Sequence, residues 1–172
     1  FTGDHHFILD YLVEEVLQRQ PESIQRFLLQ TSVLERLRPS LCKALLLEES
    51  NPSLANQSEE LLKTVVHANL FLVPLDHEQR WHRYHQLFAD VLRARLQQTE
   101  PASIGRLHER AAHWYLQQKL HDEAIHHALA AGNNDLAAQI VELEADSRLR
   151  LGQQITLQGW LERLPWQTLA SH

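Results

Sequence analysis

Apolar positions recur at helical spacing through most of the chain. Ile8, Tyr11, Leu12 and Val16 fall at i, i+3, i+4 and i+8, which predicts an amphipathic helix over 4–19. Pro21 can open a second helix, since the first helical position needs no N–H. Ile24, Phe27, Leu28 and Thr31 line that helix, which is expected to end near Leu34. Pro39 starts a short third helix through Leu41, Leu45 and Leu46. Residues 49–53 form a polar loop. Asn56, followed three residues later by Glu59, has a capping-box spacing and predicts the start of a fourth helix carrying Leu61, Leu62, Val65 and Val66.

The period then changes. Leu70 to Leu75 is a short apolar run, Asp76 to Gln79 is a polar loop, and Arg80 to Tyr84 alternates. This predicts a β-hairpin at about 70–75 and 80–84, with Pro74 confining the first strand to a sheet edge. A helix–helix loop over 70–84 is the competing reading, and the β-branched and aromatic content argues against it. Leu87, Phe88, Val91 and Leu92 return to helical spacing up to about Leu96. Helices, then a hairpin, then a helix is the order of a winged-helix module. Gln97 to Pro101 is expected to be a linker, dividing the chain into 1–97, a linking helix plus winged-helix domain, and 98–172, an α-helical arm.

The arm carries Ile104, Leu107, Ala111, Trp114 and Tyr115 on one helix and Ala124, Ile125, Ala128 and Leu129 on the next. Gly132 to Asp135 stops that helix and caps another with Leu136, Ala137, Ile140 and Val141. Small contact residues and tight turns suggest hairpins of tetratricopeptide kind, without two full consensus copies. A last helix is expected from Gln153 to Leu164, stopped by Pro165, and the end from Trp166 to His172 reads as frayed or as cut from a continuing array. The fold class is therefore mainly α: a winged-helix-like module with one hairpin, then a tetratricopeptide-like arm.

Composition narrows the function. The 172 residues carry a net charge of −6, so a basic nucleic-acid footprint is absent. The helix before the hairpin sets Lys63 and His67 against Glu59 and Glu60, which disfavours DNA binding by this segment. The missing Met and the opening Phe1 suggest part of a longer polypeptide. A single cysteine, Cys42, excludes an internal disulfide framework and reads as a small buried hydrophobe.

Twelve histidines raise the question of metal. His108 and His113 are five apart, about 140° around a helix, so they cannot share an ion as a His-Glu-x-x-His pair does. His5, His6, His121, His126 and His127 read as surface and rim imidazoles. No Gly-x-Ser-x-Gly elbow or phosphate-binding glycine loop occurs, so the segment is not expected to be an enzyme. His85 stands where the hairpin ends and a helix begins. Free N–H groups at a helix start suit anions such as phosphate, and an imidazole can add a donor. A local role, closing the hairpin or capping the helix, explains the same position.

With these residues placed, the chain resembles the region after the ATPase core in large ATP-binding LuxR-type transcriptional regulators, the MalT-like activators of the STAND class. The resemblance rests on Phe1-Thr2-Gly3 with Asp10 to Leu17, on Phe27 to Leu34, on Asn69 to Asp76 and, most strongly, on Arg83-Tyr84-His85-Gln86-Leu87-Phe88-Ala89-Asp90-Val91-Leu92. Leu107 to Tyr115, Glu123 to Gly132 and Trp160 to Pro165 continue it in order.

The resemblance implies an upstream ATPase, this winged helix and arm, a downstream helical-repeat sensor and a C-terminal DNA-binding helix-turn-helix. It implies that Tyr84-His85-Gln86 takes the place of a Met-His-Asp motif, with His85 on the β-phosphate of ADP. Tyr84 and Gln86 stand where the motif has Met and Asp, so Gln86 lacks the motif's carboxylate. It implies no cofactor in this segment and ADP or ATP with Mg in the parent, which would bind and slowly hydrolyse ATP. It also implies self-association of the parent on activation, a cytoplasmic location, no direct DNA contact by this segment and no membrane. A plain helical protein–protein scaffold without a nucleotide role is the alternative; Trp114, Trp160 and Trp166 would then be core or partner anchors.

Overall fold

A computed structural model describes residues 14–47 and 52–169. Most of the helix expected over 4–19, His5 and His6, and much of the 49–53 loop lie outside the described residues; 14–18 are helical. The ordered elements are α1 (Glu22–Thr31), α2 (Pro39–Leu45), α3 (Ser53–His67), β1 (Leu72–Pro74), β2 (His82–Tyr84), α4 (Gln86–Thr99), α5 (Pro101–Gln117), α6 (His121–Ala130), α7 (Asn134–Arg150), α8 (Gln154–Arg163) and α9 (Trp166–Leu169). They fall into two compact units, one reaching to Ile104 and one beginning at Gly105. The expected linker over 97–101 is almost entirely helical. α4 continues through Gln97 and Gln98, both good helix formers, and Pro101 opens α5 after a break at Glu100 alone.

In the first unit α1 packs on α2, α3 and α4, and α2 packs on α3. The core lies between them: Phe27, Leu28, Leu37, Leu41, Cys42, Leu45, Val65 and Leu92 are fully enclosed. Burial pushes the Cys42 thiol up to about 12, so it stays neutral and packs as an apolar group.

Two helix boundaries differ from expectation. α1 stops at Thr31 because the Ser32 hydroxyl donates to the Leu29 carbonyl at 2.6 Å, competing with the helical ladder. α3 begins at Ser53, after Pro52, and Asn56 is already inside it, its N–H donating to the Pro52 carbonyl at 3.0 Å. The Asn56–Glu59 spacing is therefore not a cap; Pro52, with φ −74°, sets the helical start instead.

The hairpin is antiparallel, with Leu72 opposite Tyr84, Val73 opposite Arg83 and Pro74 opposite His82. A third segment joins it, unforeseen in the sequence. The Leu37 N–H donates to the His82 carbonyl at 2.7 Å and the His82 N–H to the Leu37 carbonyl at 2.9 Å. β2 is thus central. Because both backbone groups of His82 are turned to Leu37, the facing site on β1 needs no donor, and Pro74 fits there without losing a bond. Asp76 organises the loop, accepting from the N–H groups of Arg80 at 2.7 Å and Trp81 at 3.2 Å.

The second unit is helical. α6 packs on α7, and α7 on α8 and α9. Ala111, Ala112, Ala124, Ala128, Ala137 and Ala138 are buried, so the helices approach closely. Of the end read as frayed or cut, 166–169 form the short α9, where Pro165 stops one helix and its carbonyl accepts from the Thr168 N–H at 3.0 Å, and 170–172 lie outside the described residues.

Its turns share one construction. After α6, Gly132 (φ 75°) donates to Leu129 at 3.0 Å and Asn133 donates to Ala128 at 2.9 Å, a Schellman cap. Gly152 (φ 70°) closes α7 the same way, and Lys119 (φ 59°) closes α5. Asn133 then caps α7, its Oδ1 accepting from the Leu136 N–H at 3.0 Å. A left-handed Lys costs about 1–2 kcal/mol, more than the extra chain entropy glycine loses. Lys119→Gly is therefore expected to stabilise the second unit by about 0.5–1 kcal/mol, read as a higher urea midpoint at unchanged slope.

Candidate functional site at the start of α4

The hairpin delivers the chain to α4 in a fixed pose. The His85 N–H donates to the Phe71 carbonyl at 2.7 Å, extending the ladder by one pair. His85 then has φ −56° and ψ 138°, and its carbonyl accepts from the Ala89 N–H at 3.0 Å, the first helical bond. No side chain caps α4, and the His85 imidazole is exposed. The first N–H groups of this 14-residue helix thus have no side-chain cap, and the residue before them carries an exposed imidazole. An anion at this end would meet the partial positive charge of the helix and a ring donor together.

Tyr84 and Gln86 do different work. Tyr84 is buried at 5 % exposure, and its hydroxyl lies 2.7 Å from Thr31 Oγ1, which donates onward to the Phe27 carbonyl at 2.7 Å. Burial holds the phenol far above its usual range, so it remains neutral. Its ring meets Phe88 at 5.7 Å, and Phe88 meets Phe71 at 5.0 Å. Tyr84 is thus an anchor that fixes the backbone of His85. Gln86 is exposed and donates to both carboxylate oxygens of Asp90, at 3.0 and 3.2 Å.

A cavity of about 480 Å³ lies beside this helix start, with Tyr84 and Gln86 in its lining together with Arg36, Arg83 and Arg93. Arg93 is tied down, its Nε donating to the Ser32 carbonyl at 2.8 Å. Arg83 lies on β2 and Arg93 on α4. Only the fold brings them beside Arg36, which follows α1, and no spacing rule would have found that grouping.

The recognition-helix position of the winged helix is α3. There Lys63 pairs with Glu59 and Glu60, both at 3.1 Å, so its basic charge is locally balanced. Among the described residues no group of three or more His, Cys, Asp or Glu is placed to hold a metal ion. His113 is exposed and bonds the Glu109 carbonyl, whereas His108 turns to His127.

Two expected rim histidines are buried. His127 is 2 % exposed, stacked on Tyr115 at 5.3 Å, with its Nδ1 2.8 Å from His108 Nδ1. His121 lies 3.4 Å from Glu144 and edge-on to Trp160. An imidazole is flat and mostly carbon, so it packs between helices once its polar atoms find partners.

The helices, the antiparallel hairpin and the helix that follows it define a winged-helix module. The profile of the MalT winged helix domain matches residues 13–104, more than half of the chain, and the chain belongs to that family. It is 32% identical over 169 residues to the HTH-type transcriptional regulator MalT of Vibrio parahaemolyticus, covering 98% of this chain and 18% of that protein. It is 31% identical over 170 residues to the serine/threonine-protein kinase PknK of Mycobacterium tuberculosis, covering 99% of this chain and 15% of that one. The chain thus spans less than a fifth of the length of these relatives. No helix among the described residues is long and apolar enough to cross a membrane.

Proposed function

We propose that this chain is the switch segment of a signal-responsive, ATP-dependent transcription activator. In this reading the winged helix closes on an upstream ATPase domain, and His85 reads the nucleotide held there. The helical arm relays the change toward a downstream helical-repeat sensor, and activation ends in self-association of the parent in the cytoplasm. The observation that carries the proposal is the uncapped start of α4 with an exposed His85, in a member of the MalT winged helix domain family. What supports a phosphate there is that uncapped N–H donors, a helix dipole and an exposed imidazole belong to the same helix end. Bound nucleotide would supply the negative charge and Mg its counter-ion. This chain's part is to hold one ring donor in place, with Tyr84 anchoring the backbone behind it. A nucleotide shifts such a balance only by its differential affinity for the closed and open states.

The test is ADP dissociation from the full-length protein, wild type against His85→Ala. A hydrogen bond to a charged group is worth about 1.5–3 kcal/mol, so release is expected about 10- to 100-fold faster, with raised inducer-independent transcription. Equal release and equal basal transcription would make His85 a local cap and refute the nucleotide role. A scaffold role has one observation in its favour. PknK bears the name of a protein kinase, yet matches nearly the whole chain, so the same fold is joined to a different output.

A further inference from the structure

The two faces of the hairpin differ. Directly opposite residues of an antiparallel pair share a face, and the face alternates along each strand. Leu72 and its partner Tyr84 are buried, as is His82, so they look into the core. Val73 and its partner Arg83 therefore look outward. Leu75, whose N–H donates to the Trp81 carbonyl at 2.8 Å, continues that outer face with Trp81. Val73 is 39 % and Leu75 42 % exposed. Arg36 and Arg38, on either side of Leu37, stack on the Trp81 ring at 4.9 and 5.1 Å and hold it in place. His85, exposed where its neighbour Tyr84 is buried, ends the row.

Arg83 differs from the arginines around it. Arg93 is paired with Asp90 and bonded to Ser32, and Arg36 lies on Trp81. The exposed guanidinium of Arg83 meets no carboxylate, carbonyl or ring among the described residues. Glu35 lines the cavity beside it without bonding it. Positions 73, 75, 81, 83 and 85 carry Val, Leu, Trp, Arg and His and no Asp, Glu or Lys. That is the composition of an interface core rather than of a solvated surface. An arginine amid apolar side chains is a common anchor of such interfaces, where a carboxylate of the partner takes both its donors.

We propose that this face docks on the domain of the same polypeptide that holds the nucleotide, and that the surface it meets is apolar with a carboxylate against Arg83. The identity of that domain rests on the nucleotide reading of His85. A ring that bonds a phosphate approaches it to about 3 Å. Arg83 is two residues from His85, about 7 Å along the strand, so whatever holds that phosphate also covers Arg83 and Val73. His85 then contributes one bond to the closed form, and the outer face of the hairpin sets how long that form lasts.

The test is hydroxyl-radical oxidation of the Leu75 and Trp81 side chains in the ADP-bound full-length protein, wild type against Arg83→Glu, with sedimentation of both. The variant sets two carboxylates against each other at an exposed position. It is expected to raise oxidation at Leu75 and Trp81 about fivefold or more and ADP release about tenfold, at an unchanged urea midpoint. The same reversal on α3, Lys63→Glu, is expected to change neither. Unchanged oxidation in Arg83→Glu would overturn the proposal, even where His85→Ala speeds ADP release and the nucleotide reading stands. If Arg83→Glu uncovers Leu75 and speeds release while His85→Ala does neither, the docking face stands and the phosphate contact fails. Equal effects of Arg83→Glu and Lys63→Glu would show a general effect of charge and overturn the proposal. Uncovering that accompanies dissociation of a dimer would assign the face to a second copy and overturn it too.

Discussion

Lowering the pH from about 6.5 toward 3 is expected to remove several kcal/mol from the stability of the helical unit that begins at Gly105. The group responsible is His127. Burial, then His108, then His126, hold its pKa down at about 3, against 6.5 for a free imidazole. The folded state therefore keeps His127 neutral where the unfolded chain takes up a proton. The sign follows: the stabilisation is fully present above 6.5 and is lost progressively as pH falls through the window to about 3. At roughly 1.4 kcal/mol per unit, the whole window amounts to about 4–5 kcal/mol.

Geometry explains the intolerance. His127 Nδ1 faces His108 Nδ1 at 2.8 Å, so one of the two must be unprotonated to accept. The ring is stacked on Tyr115, with exposed His126 edge-on at 5.2 Å. The check is the urea midpoint of the full chain between pH 7 and 4, compared with His127→Phe. The variant keeps the stacking on Tyr115 and is expected to flatten the pH dependence. A midpoint that falls equally in both proteins would assign the acid sensitivity to carboxylates elsewhere.

In the first unit the largest effect is expected at Phe88. It is 1 % exposed and touches both Tyr84 and Phe71, so Phe88→Ala leaves a cavity behind the helix start. The cost of removing an enclosed ring is about 3–5 kcal/mol. Leu87, its neighbour, is 37 % exposed, and Leu87→Ala is expected to change stability by about 0.5 kcal/mol or less. Hydrogen exchange separates this from a uniform loss: the His85 amide, bonded to Phe71, is expected to lose protection in Phe88→Ala before amides in α2 do. Equal loss of protection in α2 and at His85 would show that Phe88 supports the whole unit rather than the helix start.

Much of this architecture is legible in the residues because the signals are local. Pro39 and Pro101 open helices, Gly132 closes one, and the strand expected over 80–84 forms at His82–Tyr84, inside the alternating run. What escapes sequence reading is set by contacts made at long separation. Leu37 looks like a loop residue until His82 pairs with it. Lys119 has no intrinsic reason to be left-handed; the cap that closes α5, with the Lys119 and Leu120 N–H groups on the Leu116 and Tyr115 carbonyls, imposes it. His127 reads as polar until Tyr115 and His108 enclose it. At the candidate site, His85 was marked by its place between strand and helix, whereas the anchoring role of Tyr84 needed Thr31, far away along α1, to become visible.

Pro74 has a consequence beyond its fit against His82. Residues 71, 73 and 75 turn their backbone groups toward β2, so 72 and 74 turn theirs outward along the open edge of the sheet. At position 74 that outward donor does not exist. A stray strand approaching β1 would meet Leu72 as the only outward N–H of the strand and could not build a continuous ladder. The residue that costs nothing inside the hairpin therefore guards its rim, and keeps copies of this domain from zipping together through their wings.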